Sequence, residues 1–386
     1  MQERVGLVLA GAAARGPYQA GALSVLVPAL RAAGHEPVVI LGTSSGAINA
    51  ALLAQFADTG DEAGAHVADV WARFGPVFTN PLYTASTLRL LGRTLVAGTP
   101  AEELVGPAAA LLDTAPLHRR AAELFDGGRV AGNVAAGRPR TLAVAATTCP
   151  TGGAAARSRL FVHGEPLPAE LTDPAVDVVP VATMSIEYLL ASAAIPVLFP
   201  PEYVSEPADV RGWYVDGGVR LNAPLGAALA AGVTRVVVVS GHSAAVPPRP
   251  EPVDPGTRPD MAASTAVSLR AVLADALTDD LQALGRRNRE AERGYRTVPY
   301  LLVAPEDGVL ARIAAEVFRP SILPPDAFWA IGRILDVLGD GPGRDELLSL
   351  VLFDPEYAEQ QLTLGRVHAQ QALAAGWRLD PPGAPR

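Results

Sequence analysis

The apolar run Pro37-Val38-Val39-Ile40-Leu41 passes directly into Gly42-Thr43-Ser44-Ser45-Gly46, and that pentapeptide passes directly into the helix-forming residues 47–54. A strand that must become a helix within five residues has to turn sharply. A G-x-S-x-G turn in that setting is a nucleophile elbow: it lifts one serine hydroxyl off the end of a sheet, and the flanking glycines let strand and helix approach without a side-chain clash. The helix N-terminus favours negative charge developing beside the serine. Ser44 is therefore the candidate nucleophile, with Gly42 and Gly46 shaping the elbow. Ser45 falls one place past it and is expected to face the helix.

The same alternation begins earlier. Val5-Gly6-Leu7-Val8-Leu9 reads as a buried strand, a Gly/Ala loop follows, and Pro17 opens a helix to about residue 33, at a first-turn position where its missing N–H is harmless. Strand, helix, strand, helix predicts a mostly parallel sheet covered by helices. Further strands are predicted at 141–147, near 159–162, at Trp213-Tyr214-Val215 and at 235–240, where consecutive valines suit a strand buried on both faces. That makes about six strands, with 299–304 as a final addition. Residues 62–125, broken by Pro76, Pro81, Pro100, Pro107 and Pro116, are expected to form a helical cap-like insertion. The six prolines of 244–259 predict a loop. Leu269, Val272, Leu273, Ala276, Leu277, Leu281 and Leu284 repeat at helical spacing and predict a core-packing helix. The expected organisation is one α/β domain over 1–305, with a helical C-terminal extension over 306–386 packing on it.

Composition narrows the function. Of 386 residues, 49% are hydrophobic and 18% charged, which suits a globular chain and not a disordered one. The formal net charge of −9, from 31 basic and 40 acidic side chains, argues against nucleic acid as a partner and against a polybasic membrane anchor. No stretch has the length and apolar character of a membrane span. The apolar run 5–14 superficially resembles a secretory signal. Glu3, the shortness of the run and the Arg15-Gly16 that follows it argue against that reading, so a cytoplasmic location is expected. Cys149 is the one cysteine, which excludes an intrachain disulfide and a multi-cysteine zinc site; it reads as a small buried hydrophobe in a strand. His35, His66, His118, His163 and His368 show no metal-ligand spacing, and no metal site is expected.

Two further motifs complete a constellation. Asp216-Gly217-Gly218 follows a predicted strand, so its carboxylate sits at a strand's C-terminal end, where open α/β sheets place their chemistry. Gly11-Ala12-Ala13-Ala14-Arg15-Gly16 is a small-residue loop between a strand and a helix, whose backbone N–H groups suit an oxyanion hole. It matches neither a dinucleotide fingerprint nor a Walker A sequence.

Taken in order, these blocks resemble the patatin-like phospholipases, serine lipid acyl hydrolases with a Ser-Asp dyad on a three-layer α/β/α fold. The resemblance extends from about residue 5 to 241. It rests on Arg15-Gly16 with Tyr18-Gln19-Ala20-Gly21, the elbow, Ala145-Ala146-Thr147 with Thr151-Gly152, Ala191-Ser192-Ala193-Ala194-Ile195-Pro196, and Asp216-Gly217-Gly218 followed by Asn222-Ala223-Pro224. One departure stands out: the family usually has three consecutive glycines in the oxyanion loop, where this chain has Gly11-Ala12-Ala13. Alanine keeps the N–H donor but disfavours positive φ by about 1–2 kcal/mol.

The expected chemistry is acyl-ester hydrolysis with Ser44 as nucleophile, Asp216 as base and the 11–16 loop holding the oxyanion, without a metal or organic cofactor. A lipid or acyl-ester substrate and transient contact with a membrane interface are the expected partners. The sequence leaves oligomeric state open. Three rival readings remain: a Ser44-Asp216-His242 triad, a binding or regulatory protein that has lost turnover, and acyl transfer to an alcohol through the same acyl-enzyme.

Overall fold

A computed structural model of the chain describes residues 3–74, 110, 112–169, 171, 173–245, 256, 258–290, 296–319 and 327–382. Strands β1 (Val5–Leu9), β2 (Pro37–Thr43), β3 (Thr141–Thr148), β4 (Ser158–Gly164), β5 (Val176–Pro180), β6 (Glu202–Val204), β7 (Gly212–Asp216), β8 (Arg235–Val239) and β9 (Tyr300–Val303) form one sheet. Its main order is β5-β4-β3-β2-β1-β8-β9. Strands β1, β2, β3, β8 and β9 run parallel, while β4 is antiparallel to β3, and β5 parallel to β4.

Successive residues of the central strands point into two different cores. Leu7, Leu9, Ile40, Val144, Val237 and Val239 join one, while Val8, Val39, Leu41, Ala143, Val236 and Val238 join the other. Because both faces are buried, these strands read as unbroken apolar runs and not as alternating ones. Helices α1 (Gly16–Ala32), α2 (Ser45–Gln55) and α3 (Ala63–Ala72) cover the first face, together with Pro355–Ala375. Leu225–Ala230 and Ala276–Arg289 cover the second. The result is the three-layer α/β/α fold with a mostly parallel central sheet.

Three sequence expectations change. Among the described residues the sheet has nine strands, not about six, because β5 is a five-residue Val-Asp-Val-Val-Pro segment among turn residues and β6 has only three residues. Cys149 lies just past β3 and is half-buried, not enclosed in a strand. The helical repeat over 269–284 is not one core-packing helix. A π-helical turn at Ala271–Asp275 joins Met261–Arg270 to Ala276–Arg289; Leu277, Leu281 and Leu284 enter the core, while Leu269, Val272 and Leu273 line a cavity.

Of the predicted cap, α3 and the helix Ala115–Leu124 are described, whereas 75–109 and 111 lie outside the described residues. So do 246–255 and 257 of the proline-rich loop. Toward the C-terminus, Leu310, Leu348, Tyr357 and Leu362 are buried in the first core. No helix among the described residues is long and apolar enough to cross a membrane.

Candidate active site

Sheet register brings the two key side chains together. Strand β2 pairs with β3 up to Thr43 opposite Ala145; β7 then lies beside the end of β3, with Asp216 opposite Ala146. The residue just past β2 and the last residue of β7 are therefore neighbours, although 172 positions separate them. Ser44 Oγ donates to Asp216 Oδ2 at 2.6 Å, and both residues are buried. Ser44 adopts φ 55° and ψ −128°, the strained positive-φ backbone of a nucleophile elbow. Close approach accounts for the flanking glycines: a Cβ on Gly42 would lie 2.3 Å from Gly46 O, and one on Gly46 would lie 2.3 Å from Leu9 O.

Ser192 fixes the elbow from below. Its Oγ accepts from the Ser44 N–H at 2.8 Å and donates to Ala145 O at 2.5 Å, tying the turn to β3. The sequence singled out the segment around Ser192 but not this role, since no local pattern marks a hydroxyl that serves an amide 148 residues away.

Asp216 Oδ1 accepts from the Gly218 N–H at 2.7 Å, so the Asp-Gly-Gly turn orients the carboxyl group. Burial pushes its pKa from the ordinary 3.8 to about 7, against the opposing pull of the Ser44 hydroxyl and the Gly218 amide. A carboxylate titrating near neutrality is a far better proton acceptor for a serine than one titrating near 4.

In the 11–16 loop the amides divide. The Gly11 N–H donates to Asn222 O at 2.9 Å, that of Arg15 to Ala12 O at 2.9 Å, and that of Gly16 to Ala13 O. Among the described residues, the amides of Ala12, Ala13 and Ala14 have no such partner. Gly11, Ala12 and Ala13 border the same cavity as Ser44 and Asp216. Ala12 has φ −142°, while Ala13 has φ +50°, so the departure from glycine strains only the second alanine. Beneath the loop, Gln19 donates to Ala10 O at 2.7 Å, and Asn49 donates to Gly16 O at 3.1 Å and to Gln19 Oε1 at 3.0 Å.

The Arg15 side chain turns away from the serine. It is buried, donates to Ser349 Oγ at 2.5 Å and to Gly241 O at 3.3 Å, and pairs with Glu346 at 2.7 Å. It thereby clamps the loop to the helix Pro342–Val351. Arg15 also donates to His242 Nδ1 at 3.0 Å. Arginine has no acceptor, so Nδ1 is the unprotonated nitrogen. Burial, and then the charges of Arg15 and Arg270, hold this imidazole well below its usual pKa. His242 is engaged with Arg15, and no bond links it to Ser44 or Asp216, which leaves the triad reading without support.

Above the serine lies a cavity of about 590 Å³. Ile195, Val197, Leu198 and Val219 line it together with Leu269, Val272, Leu273, Leu335, Leu347 and Leu350. Asp216 is the one ionisable side chain among its described lining residues.

Fold and sequence together define the class as lipid acyl hydrolases. The sequence model of the patatin-like phospholipases matches residues 7–229, more than half of the chain, and the protein belongs to that family. The crystal structure of VipD from Legionella pneumophila aligns with 98% of this chain and 68% of its own, at 12% identity and a TM-score of 0.34. None of the curated proteins compared with the chain matches it.

Proposed function

We propose that the protein hydrolyses lipid-type acyl esters through a Ser44–Asp216 dyad. Ser44 Oγ attacks the ester carbonyl as its proton passes to Asp216, and the oxyanion is held by the free amides of Ala12, Ala13 and Ala14. Asp216 then returns the proton to the departing alcohol, leaving Ser44 acylated. Water releases the acid by the reverse sequence. The single observation that carries this reading is the buried 2.6 Å bond between Ser44 and Asp216 at the floor of the apolar cavity. Burial of that dyad excludes water from the charge that moves, which strengthens each fixed dipole around it.

The cavity suits an acyl chain. Each methylene moved from water into such a wall is worth about 0.8 kcal/mol, or roughly fourfold in kcat/KM. The test is turnover of p-nitrophenyl esters of increasing acyl length by the wild type, Ser44→Ala and Asp216→Asn. The reading predicts rising kcat/KM with chain length until the cavity is full, and loss of turnover in both variants with the melting transition retained. Near-wild-type turnover in either variant would overturn it.

A further inference from the structure

The helix Pro342–Val351 touches both the acyl cavity and the 11–16 loop. Its Leu347, Leu350 and Val351 line the cavity above Ser44. Glu346 and Ser349, interleaved with them in sequence, hold Arg15. The guanidinium Nη2 pairs with Glu346 at 2.7 Å, and Nη2 and Nε both donate to Ser349 Oγ, at 2.5 and 3.2 Å. Ser349 Oγ donates in turn to Glu346 O at 2.6 Å, which fixes its rotamer. Arg15 and Ser349 are both buried, so solvent and salt screen these charge-assisted bonds little. Arg15 directly follows Ala12, Ala13 and Ala14, whose amides have no backbone partner among the described residues. Its Nη1 donates to Gly241 O at 3.3 Å, and Gly241 backs the same loop: a Cβ there would lie 2.5 Å from Ala12 Cβ. A second anchor comes from the helix Pro355–Ala375, where Gln361 Nε2 donates to Ala14 O at 3.1 Å. No residue of that helix is among the described residues lining the cavity.

We propose that Arg15 is a positioning residue that couples the acyl chain to the oxyanion site. A chain packed on Leu347, Leu350 and Val351 holds the helix in place, and the helix, through Glu346, Ser349 and Arg15, holds the amides of residues 12–14 where the oxyanion forms. The assignment rests on the Ser44 acyl-enzyme reading. Interaction at the far end of the substrate then appears at the reacting carbonyl as a better-placed set of donors, so a longer chain raises the rate of the bound ester as well as its affinity. Without this coupling, chain length acts on affinity and leaves the rate at saturation unchanged.

The test is the burst of p-nitrophenol from p-nitrophenyl acetate and octanoate, which gives the acylation rate constant at saturation separately from ester affinity. The ratio of that constant, octanoate over acetate, should exceed one in the wild type. Glu346→Gln and Ser349→Ala should each lower the ratio about threefold to tenfold, the worth of one hydrogen bond, while the octanoate still binds more tightly than the acetate. Gln361→Ala should slow both esters and keep the ratio, because its helix holds the loop without meeting the chain. A loss of support for the loop in general would lower both rates alike in all three variants. A wild-type ratio of one, an unchanged ratio in Glu346→Gln or Ser349→Ala, or an equal fall in Gln361→Ala would reduce Arg15 to a structural clamp and leave the dyad intact. A wild type that forms no acyl-enzyme on Ser44 would instead end the underlying reading, and this assignment with it.

Discussion

Ala13, Ser44 and Val197 are the non-glycine residues with positive φ among the described residues, at 50°, 55° and 71°, and all three line the cavity above the dyad. Each such backbone costs about 1–3 kcal/mol and persists only where surrounding packing dictates it. Ala13→Gly should relieve about 1–2 kcal/mol of strain while returning somewhat less to the unfolded chain as entropy. A rise in the denaturation midpoint, with kcat/KM changed less than about twofold, is the expected result; a large gain in activity would mean that the strained alanine misdirects the oxyanion amides. Asp216 gives a second handle. Its pKa is about 7 when folded and about 3.8 when unfolded, so its contribution to stability is full below about 3.8 and is lost as pH rises through about 7. Turnover should move in the opposite sense, rising through about 7 as the carboxylate becomes available as a base. Asp216→Asn should flatten the dependence of the melting temperature on pH across that window.

At the scale of elements, the terminal helix Pro355–Ala375 lies against α1 at backbone contact. A Cβ on Gly365 would fall 2.0 Å from Tyr18 O, and one on Gly21 would fall 2.1 Å from Leu362 O. Backbone cannot yield as a side chain can, so Gly365→Leu should destabilise by about 3 kcal/mol or push the helix off, seen as a lower urea midpoint and faster amide exchange in 355–375. Neither this crossing nor the clamp from Arg15 to Glu346 and Ser349 was legible in the sequence, because each joins residues more than 300 positions apart that carry no shared motif. Ser44 and Asp216 were legible for the opposite reason: each sits in a contiguous block where a strand ends and glycines force a turn. Their adjacency was not, since it depends on β7 taking the place of β2 beside the last residues of β3. The π-helical turn was hidden as well. An apolar repeat at helical spacing does not reveal that one half faces the core and the other half faces a cavity.

For the whole molecule, the site is built from two parts of the chain. Residues within the family match, 7–229, include the proposed nucleophile Ser44, the proposed base Asp216 and the loop proposed to hold the oxyanion. Residues beyond it, from Thr265 to Val351, supply much of the apolar wall and, through Glu346 and Ser349, anchor the loop's arginine. On the proposed function, selection among acyl chains should therefore reside largely in the residues beyond 229, and bond cleavage in those within 7–229. The central claim is that Ser44 is the group that becomes acylated. Its most direct test is to react the intact protein with a fluorophosphonate, digest it, and locate the adduct by mass spectrometry. The account predicts one adduct per chain, on Ser44, absent in Ser44→Ala and slow to form in Asp216→Asn. An adduct on another residue, or none in a protein that still hydrolyses esters, would contradict it.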